Sequence, residues 1–402
     1  MPTRFALLLG IGLVLAACSV GGDDLSGMWS PVYDDPGVFG GSGDQRMSGL
    51  AVVGEELIAV GFDSADGDAD AVVWRSRDGM VWDRIPHDEA VFGGDGDQMM
   101  GGAVAVDSGV VVVGSDTSDG EQDAAVWTSP DGMSWTRVPD DEGALGGDGD
   151  QTMWAVAAGG PGLVAVGWEV SGGDSDVAVW TSPDGFDWSR VPHNDAVFGG
   201  TGNQWAADVI AGGPGVIAVG NDSQQGYGDA AVWTSPDGSA WTRVSDEGQV
   251  LGGFGDQTMW SVTLGAPGVV AVGWAWYGME QYRAAVWTSP DGVTWTQVPD
   301  GPNLRGGVGW ATFMYAVASS DAGFVAVGNE SSLGLETDPA VWTSADGLSW
   351  SRVTDPEGKL ARPGAQVMAA VAIGPDGLVA VGWEGAAGYT DADARVWMVP
   401  RK

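Results

Sequence analysis

The chain reads as all-β, a seven-bladed β-propeller of four-stranded antiparallel blades, and three observations lead there. A Val-Trp pair recurs at Trp74, Trp127, Trp180, Trp233, Trp287, Trp342 and Trp397, seven copies at intervals of 53 to 55 residues. Each interval holds short runs rich in Val and Trp, broken by Gly-, Pro-, Ser- and Asp-rich turns. A period near fifty built of short strands marks a radial array, because one small sheet can bury its faces only against its neighbours. Finally, the two ends of the chain carry complementary fragments of one unit.

The unit from Thr152 to Pro192 shows the elements in order: MWAVAAG, GLVAVGWE, DVAVWTS and FDWSRVP, separated by GGPG, SGGDS and SPDG. These are strands a to d, with a nearest the axis. The seventh unit supplies a, b and c from Val367 to Val399 and lacks d. The missing strand stands at the other end, at Gly27 to Val32, and Trp29 precedes Gln45 by sixteen residues, as Trp82 precedes Gln98. The N-terminal strand is therefore expected to complete the last blade and close the ring, leaving no open inner edge. The expected division is 1–17 signal peptide, 18–26 tether and 27–402 propeller.

Between c and d, Ser129-Pro130-Asp131-Gly132 has the residues of a tight hairpin: Pro presets φ, Asp bonds back to the backbone, and Gly takes the left-handed conformation. Six copies of SxDGxxW end at Trp82, Trp135, Trp188, Trp241, Trp295 and Trp350. An active site needs one copy of each group, so the motif is read as structural. It resembles the Asp box, SxDxGxTW, of sialidase-like (BNR) propellers, one residue shorter between Asp and Gly. That resemblance covers nearly the whole mature chain and implies the fold only, because Asp boxes lie away from the catalytic face and no position here matches the sialidase arginine triad or nucleophile pair. Arg84, Arg137, Arg190, Arg243 and Arg352 share one outer-strand position and are expected to face solvent. His87 and His193 replace loop aspartates and are read as interchangeable with them.

Sixteen Lys and Arg oppose fifty-five Asp and Glu, a net charge of −39, which excludes nucleic acid and other polyanions as partners. A monomer is expected. The apolar run Phe5 to Ala17 is too short to span a bilayer and ends Leu15-Ala16-Ala17-Cys18. This resembles the lipobox of bacterial lipoproteins and implies lipidation of Cys18, a membrane partner and an extracytoplasmic, surface-anchored protein.

Strands b and d end on the face opposite the SPDG hairpins, where propellers usually bind ligands. There GGDGDQ-type turns repeat with Gln45, Gln98, Gln151, Gln204, Gln257 and Gln366, broken by Thr312, and Asp97, Asp150 and Asp256 are candidate calcium ligands. Calcium is the one cofactor suggested. A second ring, Asp63, Asp116, Glu169, Asp222, Glu330 and Glu384, follows strand b. Of twenty-two tryptophans, fourteen are repeat positions; Trp154, Trp168, Trp205, Trp260, Trp274, Trp276, Trp310 and Trp383 fall toward this face, with Tyr282 and Tyr315 beside them. Arg305 lies in the connection entering the sixth unit. Flat rings beside carboxylates suit sugars, and exposed aromatic patches equally suit protein partners.

The leading expectation is a recognition propeller without catalysis, binding a glycan or surface protein through Trp154, Trp168, Trp260, Trp274, Trp276, Tyr282, Trp310, Tyr315, Trp383, Glu330, Glu384 and Arg305. No catalytic residue is assigned to it. The alternatives are a glycoside hydrolase or lyase with a carboxylate pair drawn from Glu280, Glu330 and Glu384, and a structural scaffold.

Overall fold

The computed structural model describes residues 28–401, except 34, 66, 119, 140–142, 171–172, 224–226, 247–248, 254, 267, 279–281, 307–309, 333–336, 356–357 and 387–390. Cys18, the leader, the tether and Glu280 lie outside the described residues. Strands a to d appear as antiparallel four-stranded sheets arranged like propeller blades. Five such sheets are separate: the first is Gln45–Val53, Glu56–Asp63, Asp70–Ser76 and Trp82–Arg84, and the third is Gln151–Gly159, Gly162–Val170, Ser175–Ser182 and Ser189–Arg190. The remaining strands form an eight-stranded sheet, in which one parallel pairing, Thr337 with Ala365, joins two groups of four. Each inner strand touches the next, and the last, Ala365–Gly374, touches the first, Gln45–Val53. The circuit is closed.

The chain ends meet as expected. Ser30–Pro31 pairs antiparallel with Asp393–Pro400, Ser30 opposite Met398 and Pro31 opposite Trp397. Trp29 is buried within the same apolar cluster as Trp397.

The strand-c tryptophans are the masonry between sheets. All seven are fully buried, and the indole N–H of Trp74, Trp127, Trp180 and Trp233 donates at 2.7 to 2.8 Å to the carbonyls of Val38, Val91, Ala144 and Val197 in the connection entering the same sheet. Phe39, Phe92, Leu145, Phe198 and Leu251 anchor those connections in the core. In the SxDG hairpin, the Asp131 carboxylate accepts the N–H groups of Met133 and Ser134 at 2.9 and 2.7 Å, and Gly132 has φ +70°. Backbone hydrogen bonds hold the carboxyls of Asp131, Asp184, Asp237, Asp291 and Asp346 below the usual carboxylate range. The Trp135 indole donates back to the Gly132 carbonyl at 3.2 Å. The Ser129 hydroxyl, the Asp131 carboxylate and the Trp135 indole N–H are all engaged within the turn.

Candidate functional site

The inner strands carry the feature that builds the site. In each of them the pairing with strand b skips one residue, a β-bulge at Ser48, Gly101, Trp154, Ala207, Trp260, Tyr315 and Ala369. A bulge bends the strand and re-aims the extra side chain. Its cause is readable in strand b, where the VAVG glycine lies opposite the residue before the bulge; a Cβ on Gly167 would collide with the Thr152 carbonyl oxygen. Trp154, Trp260 and Tyr315 therefore sit at one equivalent position around the axis, all half-buried.

These rings belong to a continuous chain of contacts. Trp154 meets Trp205 at 5.2 Å between centroids, Trp205 meets Trp260 at 5.1 Å, and Trp260 meets Tyr315 at 6.1 Å. Tyr315 stacks on Phe313 at 6.3 Å and 7°, Phe313 reaches Tyr282 at 5.9 Å, and Tyr282 touches Trp274 and Trp276 at 5.0 and 4.9 Å. The aromatic wall thus runs across the third to sixth units. Phe313, absent from the sequence expectation, is the link between its two halves. Trp168 lies beyond the wall's first end, sharing a cavity with Trp154 and Trp205. Trp383 is a core residue, 9% exposed and covered by the Arg46 guanidinium 4.5 Å from its ring centroid. Trp310 heads its inner strand, half-buried, outside this chain of rings.

The acidic ring behaves differently from expectation. The outer-strand arginines do not face solvent: their side chains are only 21 to 26% exposed, and each reaches across strand c to the acid ending strand b. Arg84 pairs with Asp63, Arg137 with Asp116 and Arg243 with Asp222, while Arg190 holds Glu169 at 2.9 Å and Arg352 grips Glu330 through two bonds of 2.6 and 2.8 Å. Glu384 lies 3.5 Å from Arg362 and 3.3 Å from Arg395. Four of these guanidiniums also lie over the strand-c indoles, 5.5 to 5.9 Å from the ring centroids. Gln45, Gln98 and Gln204 donate to Asp63, Asp116 and Asp222 at 2.8 to 3.0 Å. In the first, second and fourth units the two polar rings are thus bonded to each other. Arg305 is likewise engaged, with Asp300 at 2.6 Å.

The GDQ turn has its own task. Asp97 accepts the Ala69 N–H at 2.8 Å, Asp150 that of Gln122 at 3.1 Å, and Asp256 that of Gly228 at 2.9 Å, each donor belonging to the preceding sheet. The Gln257 N–H donates to the Gly228 carbonyl at 2.6 Å, completing a two-bond clamp there, and Asp44 with Gln45 clamps Ala392 likewise across the ring closure. Among the described residues no group of three or more His, Cys, Asp or Glu gathers as a metal site.

One carboxyl stands apart from both layers. Asp208 follows the bulge residue of the fourth inner strand, at a position occupied elsewhere by Gly49, Gly102, Ala155, Ser261, Ala316 and Ala370. It accepts from Ser261 Oγ at 2.9 Å, from the Val262 N–H at 2.8 Å and from its neighbour's Val209 N–H at 2.8 Å. Enclosure outweighs these three bonds and pushes its pKa up to about 6. Ser261, which donates to this carboxyl, follows Trp260 in the chain, and Asp208 lies three residues after Trp205.

No protein-family model and no curated protein matches this chain. Similar solved structures include Bombyx mori GH32 beta-fructofuranosidase at 12% identity, covering 94% of this chain and 93% of that one, with a TM-score of 0.40. Fructan 1-exohydrolase IIa from Cichorium intybus shares 11% over 93% of this chain and 94% of its own, with a TM-score of 0.41. Sqt1 from Chaetomium thermophilum shares 12% over 86% and 84%, at 0.47. Likeness at this level carries no residue role and no activity to this chain. The names of several neighbours are those of glycoside hydrolases where the sequence led to a recognition propeller without catalysis, and that expectation is set aside. Glu330 and Glu384, expected at the ligand rim, are held by arginines.

Proposed function

We propose that this chain is an extracytoplasmic glycoside hydrolase on a seven-bladed propeller, the eight-stranded sheet being two blades joined at a single bridge. The SxDG hairpins are taken as relatives of the Asp box, and the Cys18 lipobox as a membrane anchor. The observation that carries the reading is the aromatic wall from Trp154 to Trp276, with Asp208 bonded to Ser261, the residue after Trp260. Rings of this kind cover the apolar faces of a sugar. A carboxyl with a pKa of about 6 keeps its proton through mildly acidic conditions, as protonation of a leaving glycosidic oxygen requires. Glu330 and Glu384 serve poorly in that role, because each already neutralises an arginine. The acidic surface disfavours uronic, sialic and sulfated sugars, leaving neutral glycans as substrates.

The test is release of reducing ends from a panel of neutral polysaccharides by the wild-type chain and Asp208→Asn. Turnover lowered about 100-fold or more in a folded variant is expected of a lost general acid. Equal turnover, or none in either protein on any polysaccharide, would overturn the reading.

A further inference from the structure

We propose that the cavity between the third and fourth sheets binds an alkylated ammonium cation of the choline class. This inference does not depend on the hydrolase reading, although the cavity shares Trp154 and Trp205 with the aromatic wall. It is an open cleft of about 390 Å³, lined by Trp154, Trp168, Trp205, Asp174, Ser175 and Asn203 among others, with no Lys or Arg among the described residues of the lining.

The ring geometry selects the ligand. Trp154 and Trp205 stand at 77° to one another with centroids 5.2 Å apart, so their faces form a corner. A pyranose stacks best on one flat face, whereas a cation in a corner meets the negative faces of two rings at once. Trp168, from strand b of the third sheet, supplies a third indole to the lining.

The formal charge comes from Asp174. Its Oδ2 accepts the Gly202 N–H at 3.2 Å, which ties the carboxylate across the seam between the sheets. Asn203 Oδ1 is occupied by the Ser175 N–H at 3.1 Å, so the polar edge of the cavity is already internally bonded. Such a lining offers little to a primary ammonium, which demands several acceptors in exchange for its hydration. It suits a weakly hydrated, methylated cation, which needs ring faces and one counter-charge. The field of a chain with net charge −39 concentrates such cations near the surface.

The test is titration of the full-length chain with choline and with 3,3-dimethylbutanol, its uncharged isostere, followed by tryptophan fluorescence and calorimetry. Saturable choline binding is expected, with the isostere at least about 10-fold weaker because it lacks the charge. Asp174→Asn should weaken choline by about 3- to 10-fold and Trp205→Leu by 10-fold or more. Phe186→Ser, on a hairpin of the opposite face, should leave binding unchanged. If Trp205→Leu fails to fold, Asp174→Asn decides alone, since it removes charge without removing packing. Absence of saturation, equal affinity for the isostere, or indifference to Asp174→Asn would each overturn the proposal. Because the readout is binding, its failure is distinguishable from a failure of glycan turnover.

Discussion

The two arcs of the axis use the same bulge for opposite ends. In the first and second sheets the bulge residues are Ser48 and Gly101, followed by Gly49 and Gly102. A Cβ on Gly49 would lie 2.5 Å from the Gly101 carbonyl oxygen, and one on Gly102 2.8 Å from that of Trp154. There the inner strands close backbone to backbone. Across the third to sixth units the same register holds Trp154, Ala207, Trp260 and Tyr315, and side chains make the wall instead. Repetition sets the backbone, and departures at or near this register position decide where rings gather about the axis.

The largest expected effects should ignore this difference. Trp127→Ala on the glycine arc and Trp287→Ala on the aromatic arc each remove a fully buried indole, and each should cost about 3–5 kcal/mol in denaturant titrations. A clear disparity between them would show that the arcs differ in packing as well as in lining.

Next comes the pH dependence of Asp208. Its folded pKa, about 6, lies above the ordinary 3.8, so between roughly pH 4 and 6 the native state keeps a proton that the unfolded chain has released. Stability should therefore fall as pH rises through that window, by on the order of 2–3 kcal/mol, and this slope should be absent from Asp208→Asn and so remain in the difference between wild type and variant. A difference curve flat across pH 4 to 6 would mean the carboxyl is not enclosed.

Gly49→Ala should cost about 1–3 kcal/mol, because backbone rather than a movable side chain opposes the new methyl. Trp260→Ala should shift the melting temperature less than Trp287→Ala and abolish turnover, which separates the wall from the masonry. Smallest of all is Asp184→Ala in a single hairpin. Its depressed pKa contributes stability above the ordinary carboxylate range that is lost as pH falls through the folded value, so any shift in melting temperature should be slight at pH 7 and smaller still as pH falls below the ordinary carboxylate range.

Much of this was legible. The sixteen-residue interval from Trp29 to Gln45 announced the pairing of the two ends, and the hairpin chemistry of SPDG was read from its residue types. The bulge had a signal that went unused: an isolated Gly inside the strand pattern VAVG, at Gly61, Gly114 and Gly167. Asp208 could have been noticed as the one charged residue in a column of Gly, Ala and Ser. The outer-strand arginines were expected to face solvent because their acidic partners are remote in sequence. Arg190 is twenty-one residues from Glu169, and nothing local says that the two meet across strand c.

Periodicity, turn chemistry and the complementary termini decided the array, because each depends on residues within one unit or on the spacing between units. Which side chains gather about the axis was decided by closure of the ring. Only when the inner strands converge do Trp154, Trp205, Trp260 and Tyr315, some fifty residues apart, come within ring contact, and only then does Asp208 lose enough solvent to hold its proton.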